Sequence, residues 1–191
     1  MPDHPQSLTW CRQALQGDRA AAEALVEHHH RPLFAFLRRL CGNKPDACDL
    51  TQQTFGKAWQ SLDKFRGAST VSTWLHRIAY CTYVDWVRRQ RPAGTMPEAW
   101  WETLPAAEPS PLEALAAADF ARRLYALVET LDPECRRAAV HLHYYQHLTL
   151  AETAEVLALP LSTLKHHLRS AVDDLRRQLA IPAQPAAPLS T

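Results

Sequence analysis

Five prolines, Pro92, Pro97, Pro105, Pro109 and Pro111, fall within twenty residues of this chain. No helix of useful length survives such a density, because each ring removes a backbone donor and clashes with the preceding turn. On either side, apolar residues recur at three- and four-residue steps, the period of a helix with one buried face. The sequence therefore predicts an all-α fold of two small helical domains, residues 1–91 and 112–181, joined by a linker at 92–111 and followed by a disordered tail at 182–191.

The first module opens with a short helix from Ser7 to Gln16, closed by Gly17. Asp18 then caps a helix whose inner face carries Ala22, Leu25, Val26 and His29. Pro32 is expected to kink or restart it before Leu33, Phe36, Leu37 and Leu40 continue the stripe to Gly42. Asn43 to Asp46 reads as a turn, with Asp46 capping the next helix. There Leu50, Thr54, Phe55, Ala58, Trp59 and Leu62 fall on one buried stripe, and Gln52, Gln53, Lys57 and Gln60 on the wet face. After a break at Phe65-Arg66-Gly67, Ser69 or Thr70 caps a second helix that turns Val71, Trp74, Leu75, Ile78 and Thr82 inward. Its end is basic: Arg88-Arg89-Gln90-Arg91. Aromatics interleaved with cations suit a surface that follows phosphates while unstacked bases lie on ring faces. An ordinary amphipathic helix with core aromatics and solvated arginines has the same pattern.

Composition excludes several classes. With 47% apolar and 21% charged residues the chain is globular rather than disordered. No apolar run approaches the ~20 residues of a membrane helix, and the N-terminus lacks the basic head and apolar stretch of a secretory signal. The expectation is a cytoplasmic monomer without membrane insertion. Cys11, Cys41, Cys48, Cys81 and Cys135 form no Cys-x-x-Cys pair and read as small buried hydrophobes. Among ten histidines, His143 and His147 share a helical spacing but have no third ligand, so neither a metal nor a cofactor is expected. No nucleophile–base pair or Gly-rich phosphate loop is present, so no catalytic residue is assigned. Charge is uneven: residues 1–91 carry 13 basic and 8 acidic residues, 92–120 carry five acids and no Lys or Arg, and 121–191 carry 8 basic and 7 acidic. An acidic strap between less acidic modules points to a partner. The Trp100-Trp101 pair within it can tuck against a module or meet that partner.

In the second module Ser110-Pro111-Leu112-Glu113 reads as a capping box with proline at the first helical position. Leu115, Phe120, Leu124, Leu127, Val128 and Leu131 form the stripe of that helix. Asp132-Pro133 predicts a second cap before Cys135, Ala138, Ala139 and Leu142. Thr149 to Glu152 is a further capping box on a short helix, and Ala158-Leu159-Pro160 breaks the chain before a last helix with Leu161, Leu164, Leu168, Ala171, Leu175 and Leu179 inside. A short helix, a tight turn and a longer helix is the layout of a helix-turn-helix. Its second helix would turn Thr163, Lys165, His166, Arg169 and Ser170 toward DNA. A generic helical hairpin with a polar face has the same layout.

The wording of both modules favours the functional reading. Asp49-Leu50, Gln52, Thr54-Phe55, Ala58-Trp59, Phe65-Arg66-Gly67, Thr73-Trp74-Leu75, Arg77-Ile78-Ala79, Asp85 and Arg88-Arg89 resemble region 2 of bacterial sigma factors, most of all the small extracytoplasmic-function (ECF) group. Leu131-Asp132-Pro133, Glu152-Thr153-Ala154, Leu157, Thr163-Leu164-Lys165, Leu168, Ala171 and Leu175-Arg176 resemble region 4. The resemblance implies a factor that binds core RNA polymerase and directs promoter-specific initiation. Asp49, Gln52, Gln53, Phe55 and Lys57 would dock on the polymerase. Phe65, Arg66, Gly67, Ser69, Thr70, Trp74, Arg77, Asp85, Arg88 and Arg89 would melt and hold −10 DNA, and Thr163, Lys165, His166, Arg169 and Ser170 would read −35. It also implies an anti-sigma partner and a linker threading the polymerase cleft. Three positions depart from the family: Cys81 for a frequent asparagine, Ala158 for the usual turn glycine and His167 for an arginine. The alternatives are a helix-turn-helix regulator that acts without polymerase, and a metal or redox sensor.

Overall fold

The computed structural model describes residues 6–90 and 111–179, with side chains in the second stretch from residue 120. The linker, its Trp100-Trp101 pair, Ser110, Arg91 and the tail lie outside the described residues. All regular elements within them are helical: α1 (Ser7–Leu15), α2 (Arg19–Cys41), α3 (Lys44–Ser61) with a 3-10 turn (Leu62–Lys64), α4 (Val71–Gln90), α5 (Pro111–Glu129), α6 (Glu134–Val140), a π turn (His141–Tyr145), α7 (Leu150–Leu157) and α8 (Leu161–Gln178).

In the first half α2 is central, packing on α1, α3 and α4, while α3 and α4 lie against each other. Asp18 caps it by accepting from the amides of Ala20 and Ala21 at 2.9 and 3.2 Å. α2 continues through Pro32 as one helix, so the chain does not restart there. A mid-helix proline costs about 3 kcal/mol, but Leu25, Leu33, Phe36, Leu37 and Leu40 are all buried on one continuous stripe and outweigh it. Buried His29 meets the Ser7 hydroxyl at 3.1 Å, which ties α1 to α2. The cap of α3 is Asn43, whose Oδ1 accepts from the Asp46 amide at 2.9 Å, so Asp46 stands in the first turn instead of capping. Thr51, Thr54 and Thr82 enter the core because each hydroxyl donates to the carbonyl four residues back.

In the second half α8 lies against α5, α6 and α7. Leu164, Leu168, Ala171 and Leu175 are buried, whereas Leu161, expected inside, is 42% exposed in the first turn. Trp59 and Phe120 are likewise at the surface. Each stands at the edge of its stripe, where helical spacing alone does not settle burial. Asp132 does not cap α6: Pro133 precedes it, and the Asp132 carbonyl instead accepts from Arg136 at 2.8 Å. Arg136 also bridges to Asp174 on α8. All five cysteines are free thiols, but only Cys11 is buried, Cys41 and Cys135 are half-buried and Cys48 and Cys81 are exposed, which corrects the expectation that all are buried.

Candidate nucleic-acid interface

The first site is built on the seam between α3 and α4. Asp49, Gln52, Gln53 and Lys57 are exposed on the outer side of α3. Phe55 is not with them: it is buried against the core and its ring lies parallel to that of His30, with centroids 6.3 Å apart. Gln53 and Lys57 face Asp85, Arg88 and Arg89 of α4 across an open groove. Lys57 Nζ stands 3.7 Å from Asp85 Oδ2, and Arg89 Nε donates to the Asp85 carbonyl at 3.2 Å. Residues expected to dock on polymerase and residues expected to follow DNA thus line one groove.

The loop before α4 carries the aromatic and hydroxyl groups. Phe65 and Trp74 stack with centroids 4.7 Å apart and planes 27° from parallel, a ring pair on which a flat base can lie. Arg66, Gly67 and Arg77 are exposed, and Ser69 is half-buried. Gly67 has φ +72, a left-handed conformation that favours glycine. Thr70 is the helix cap, its hydroxyl accepting from the Thr73 amide at 3.1 Å. The Thr70 and Thr73 hydroxyls are 2.8 Å apart.

The second site is the outer face of α8. His166 and Arg169 are exposed there, and Thr163, Lys165 and Ser170 are half-buried around them. The turn that presents this face keeps a left-handed residue although it is an alanine: Ala158 has φ 53 and ψ 42. Upstream, α7 begins with the expected capping box. Thr149 Oγ1 accepts from the Glu152 amide at 3.2 Å, and Glu152 Oε2 accepts from the Thr149 amide at 2.9 Å. His167 is turned away from this face and sits 3.9 Å from Cys135 Sγ, with burial pulling it below the ordinary imidazole range. His143 bonds the Leu148 carbonyl at 2.8 Å, and no group of three or more His, Cys, Asp or Glu residues able to hold a metal occurs among the described residues.

Long-range pairing supplies what local sequence does not reveal. Glu152 Oε1 reaches the first half, accepting from Thr73 Oγ1 at 3.1 Å and Thr70 Oγ1 at 3.3 Å. Burial pushes the Glu152 carboxyl up, but the bonds from Thr149, Thr73 and Thr70 outweigh it and hold the group below the usual carboxylate range. Nearby His76 is fully enclosed between Phe36 and the second half, and burial lowers its pKa to about 4. No motif announces these partners, because each pair is separated by some eighty residues.

Residues 25–93 match the family Sigma-70 region 2, and residues 128–177 match Sigma-70, region 4. The ECF RNA polymerase sigma factor SigW of Bacillus subtilis is 27% identical over 176 residues, covering 88% of this chain and 94% of that protein. The ECF RNA polymerase sigma factor SigE of Mycolicibacterium smegmatis is 32% identical over 169 residues, covering 86% of this chain and 65% of that protein. The fold is shared with the sigma factor RpoE of Bartonella quintana, solved in complex with the anti-sigma factor NepR, at a TM-score of 0.63 and 18% identity over 84% of this chain and 98% of that one.

Proposed function

This chain belongs to the ECF group of the sigma-70 family, and from that premise we propose how its two sites divide the work of starting transcription. Residues 1–91 dock on core RNA polymerase through the exposed side of α3, with Asp49, Gln52, Gln53 and Lys57 as contacts. Phe55, being buried, fixes the position of α3 instead of touching the polymerase. The Phe65–Trp74 stack, with Arg66, Gly67, Ser69 and Thr70 around it, receives a base flipped from the −10 strand. Arg77, Asp85, Arg88 and Arg89 guide the adjoining backbone. Residues 112–181 read −35 through Thr163, Lys165, His166, Arg169 and Ser170.

The activity is binding rather than bond-making. Unstacking a base costs a few kcal/mol, offset by ring stacking and by phosphate contacts whose strength falls with salt. Tethering the two reading modules raises the local concentration of the second once the first has landed. Among the described residues no helix is long and apolar enough to cross a membrane. We place the protein in the cytoplasm, held in check by an anti-sigma factor of the kind that RpoE of Bartonella quintana carries in its complex, and near the membrane where that partner is itself membrane-bound.

The single observation that carries this reading is the groove where Gln53 and Lys57 face Asp85, Arg88 and Arg89. A regulator acting on DNA alone has no use for a polymerase-type helix fused to a strand-holding one. Run-off transcription with purified core polymerase tests it. Promoter-dependent transcripts that require this protein are expected; DNA binding without any such transcript would favour the helix-turn-helix regulator.

A further inference from the structure

Helix α1 (Ser7–Leu15) lies ahead of residues 25–93, the span that matches region 2, and it belongs to neither reading face. It is nonetheless firmly seated. Cys11 is buried, the Ser7 hydroxyl meets His29 of α2 at 3.1 Å, and the Trp10 ring centroid stands 6.0 Å from that of His28. These ties hold α1 on α2, and the helix also packs on the 3-10 turn (Leu62–Lys64) that leads into the −10 loop. Leu8, next in sequence to the anchored Ser7, reaches the loop itself. Its Cδ2 lies 3.5 Å from the place where a β-carbon on Gly67 would stand, an ordinary van der Waals distance.

Gly67 is the left-handed residue of that loop, with φ +72. The loop is tied at its two ends, where the Phe65 amide donates to the Leu62 carbonyl at 3.2 Å and the Trp74 amide to the Thr70 carbonyl at 3.0 Å. Between those ties the chain passes through a glycine, the residue with the greatest backbone freedom, and it is there that Leu8 abuts it. We propose that Leu8 is a positioning residue for the −10 base. By backing the turn at Gly67 it fixes the loop in which the Phe65–Trp74 ring pair receives the flipped base, and so sharpens the choice of base. This rests on the reading of residues 65–70 as the −10 loop. Leu8 acts through the backbone it supports, without touching the base. Being 38% exposed, it stands outside the buried stripe, so shortening it leaves the core in place. A pocket whose support is removed becomes loose and discriminates less, even with every contacting residue still present.

The test uses the full chain with core polymerase and a double-stranded template library randomised upstream of the start site, each template carrying a downstream barcode. Sequencing the transcripts gives the yield for each base at each −10 and −35 position. Leu8→Ala is expected to flatten the preference at one −10 position several-fold and to leave the −35 preferences as they are. A merely weakened fold lowers every yield alike and does not change the preference at one element. Leu15→Ala, which shortens an exposed leucine at the far end of the same helix, is expected to leave both elements unchanged. An unmoved −10 preference in Leu8→Ala, equal flattening at both elements, or the same flattening in Leu15→Ala overturns the role of Leu8. If Leu8→Ala does not fold, Leu8→Val, which lacks only the δ methyls, decides by the same criteria. If the wild-type protein yields no promoter-dependent transcripts, the sigma reading fails and the role of Leu8 falls with it. Wild-type transcripts with an unmoved profile in the variant sink the role of Leu8 alone, so the two failures are separable.

Discussion

The two halves present the faces proposed to read DNA differently. On α8 the set Thr163, Lys165, His166, Arg169 and Ser170 lines the outer face of its helix, with the apolar stripe beneath it. On the first half, Thr70, Thr73 and His76 lie under the second half, with hydroxyls bonded to Glu152 and the imidazole wholly enclosed. The proposed reading face on α8 is open, and on the first half Thr70 at the start of α4 is bonded to the second half while Arg66, Arg77, Arg88 and Arg89 stay exposed.

The largest effect that would break this contrast is acid. His76 has its pKa lowered from 6.5 to about 4 by burial, so the unfolded chain binds a proton that the folded one refuses. Its contribution to stability is full above pH 6.5 and is lost as pH falls toward 4, by about 3 kcal/mol. Buried His141 shifts in the same direction and adds to the slope. Urea unfolding at pH 7 and pH 5 should show about 2 kcal/mol of that loss, and His76→Asn should flatten it. An unaltered slope would mean that His76 is not enclosed in solution.

Next comes the open face. Arg169→Ala should weaken binding to −35 duplex by about 1–3 kcal/mol if the guanidinium reads a base, or lower the salt slope by about 1 if it meets a phosphate. Titrations at several salt concentrations separate the two, and unchanged affinity would remove α8 from the groove. The smallest effect is at the turn that aims α8. Because Ala158 is left-handed, Ala158→Gly should raise the melting free energy by about 1 kcal/mol without changing the reading face. A loss of stability would show that the alanine methyl makes a contact worth more than its strain.

Much of the helical outline was legible because caps and periodicity are local. Asp18 and Thr149 cap where their spacing indicates, and the buried stripes of α3 and α8 hold apart from their edge members. At Pro32 the sequence left a kink or a fresh start open, and a proline's local penalty says nothing of the three neighbouring helices against which α2 continues as one helix. Asn43 and Asp46 were both acceptable caps, and only geometry chose between them. Phe55 stands among residues expected to dock on polymerase and yet points inward, because a family pattern does not distinguish a contact from its support. The seam between the halves was out of reach altogether. Arg39 with Tyr145 and Tyr83 with Glu134 are ordinary residues until folding brings them together, the first pair across 106 positions and the second across 51.

Glu152 divides its two oxygens between tasks that are usually separate. One secures the first turn of α7 through Thr149, and the other grips a neighbouring module through Thr70 and Thr73. Fraying of that turn, whose cap is worth about 1 kcal/mol, therefore loosens the grip as well. The start of one short helix and a contact between the halves stand or fall together.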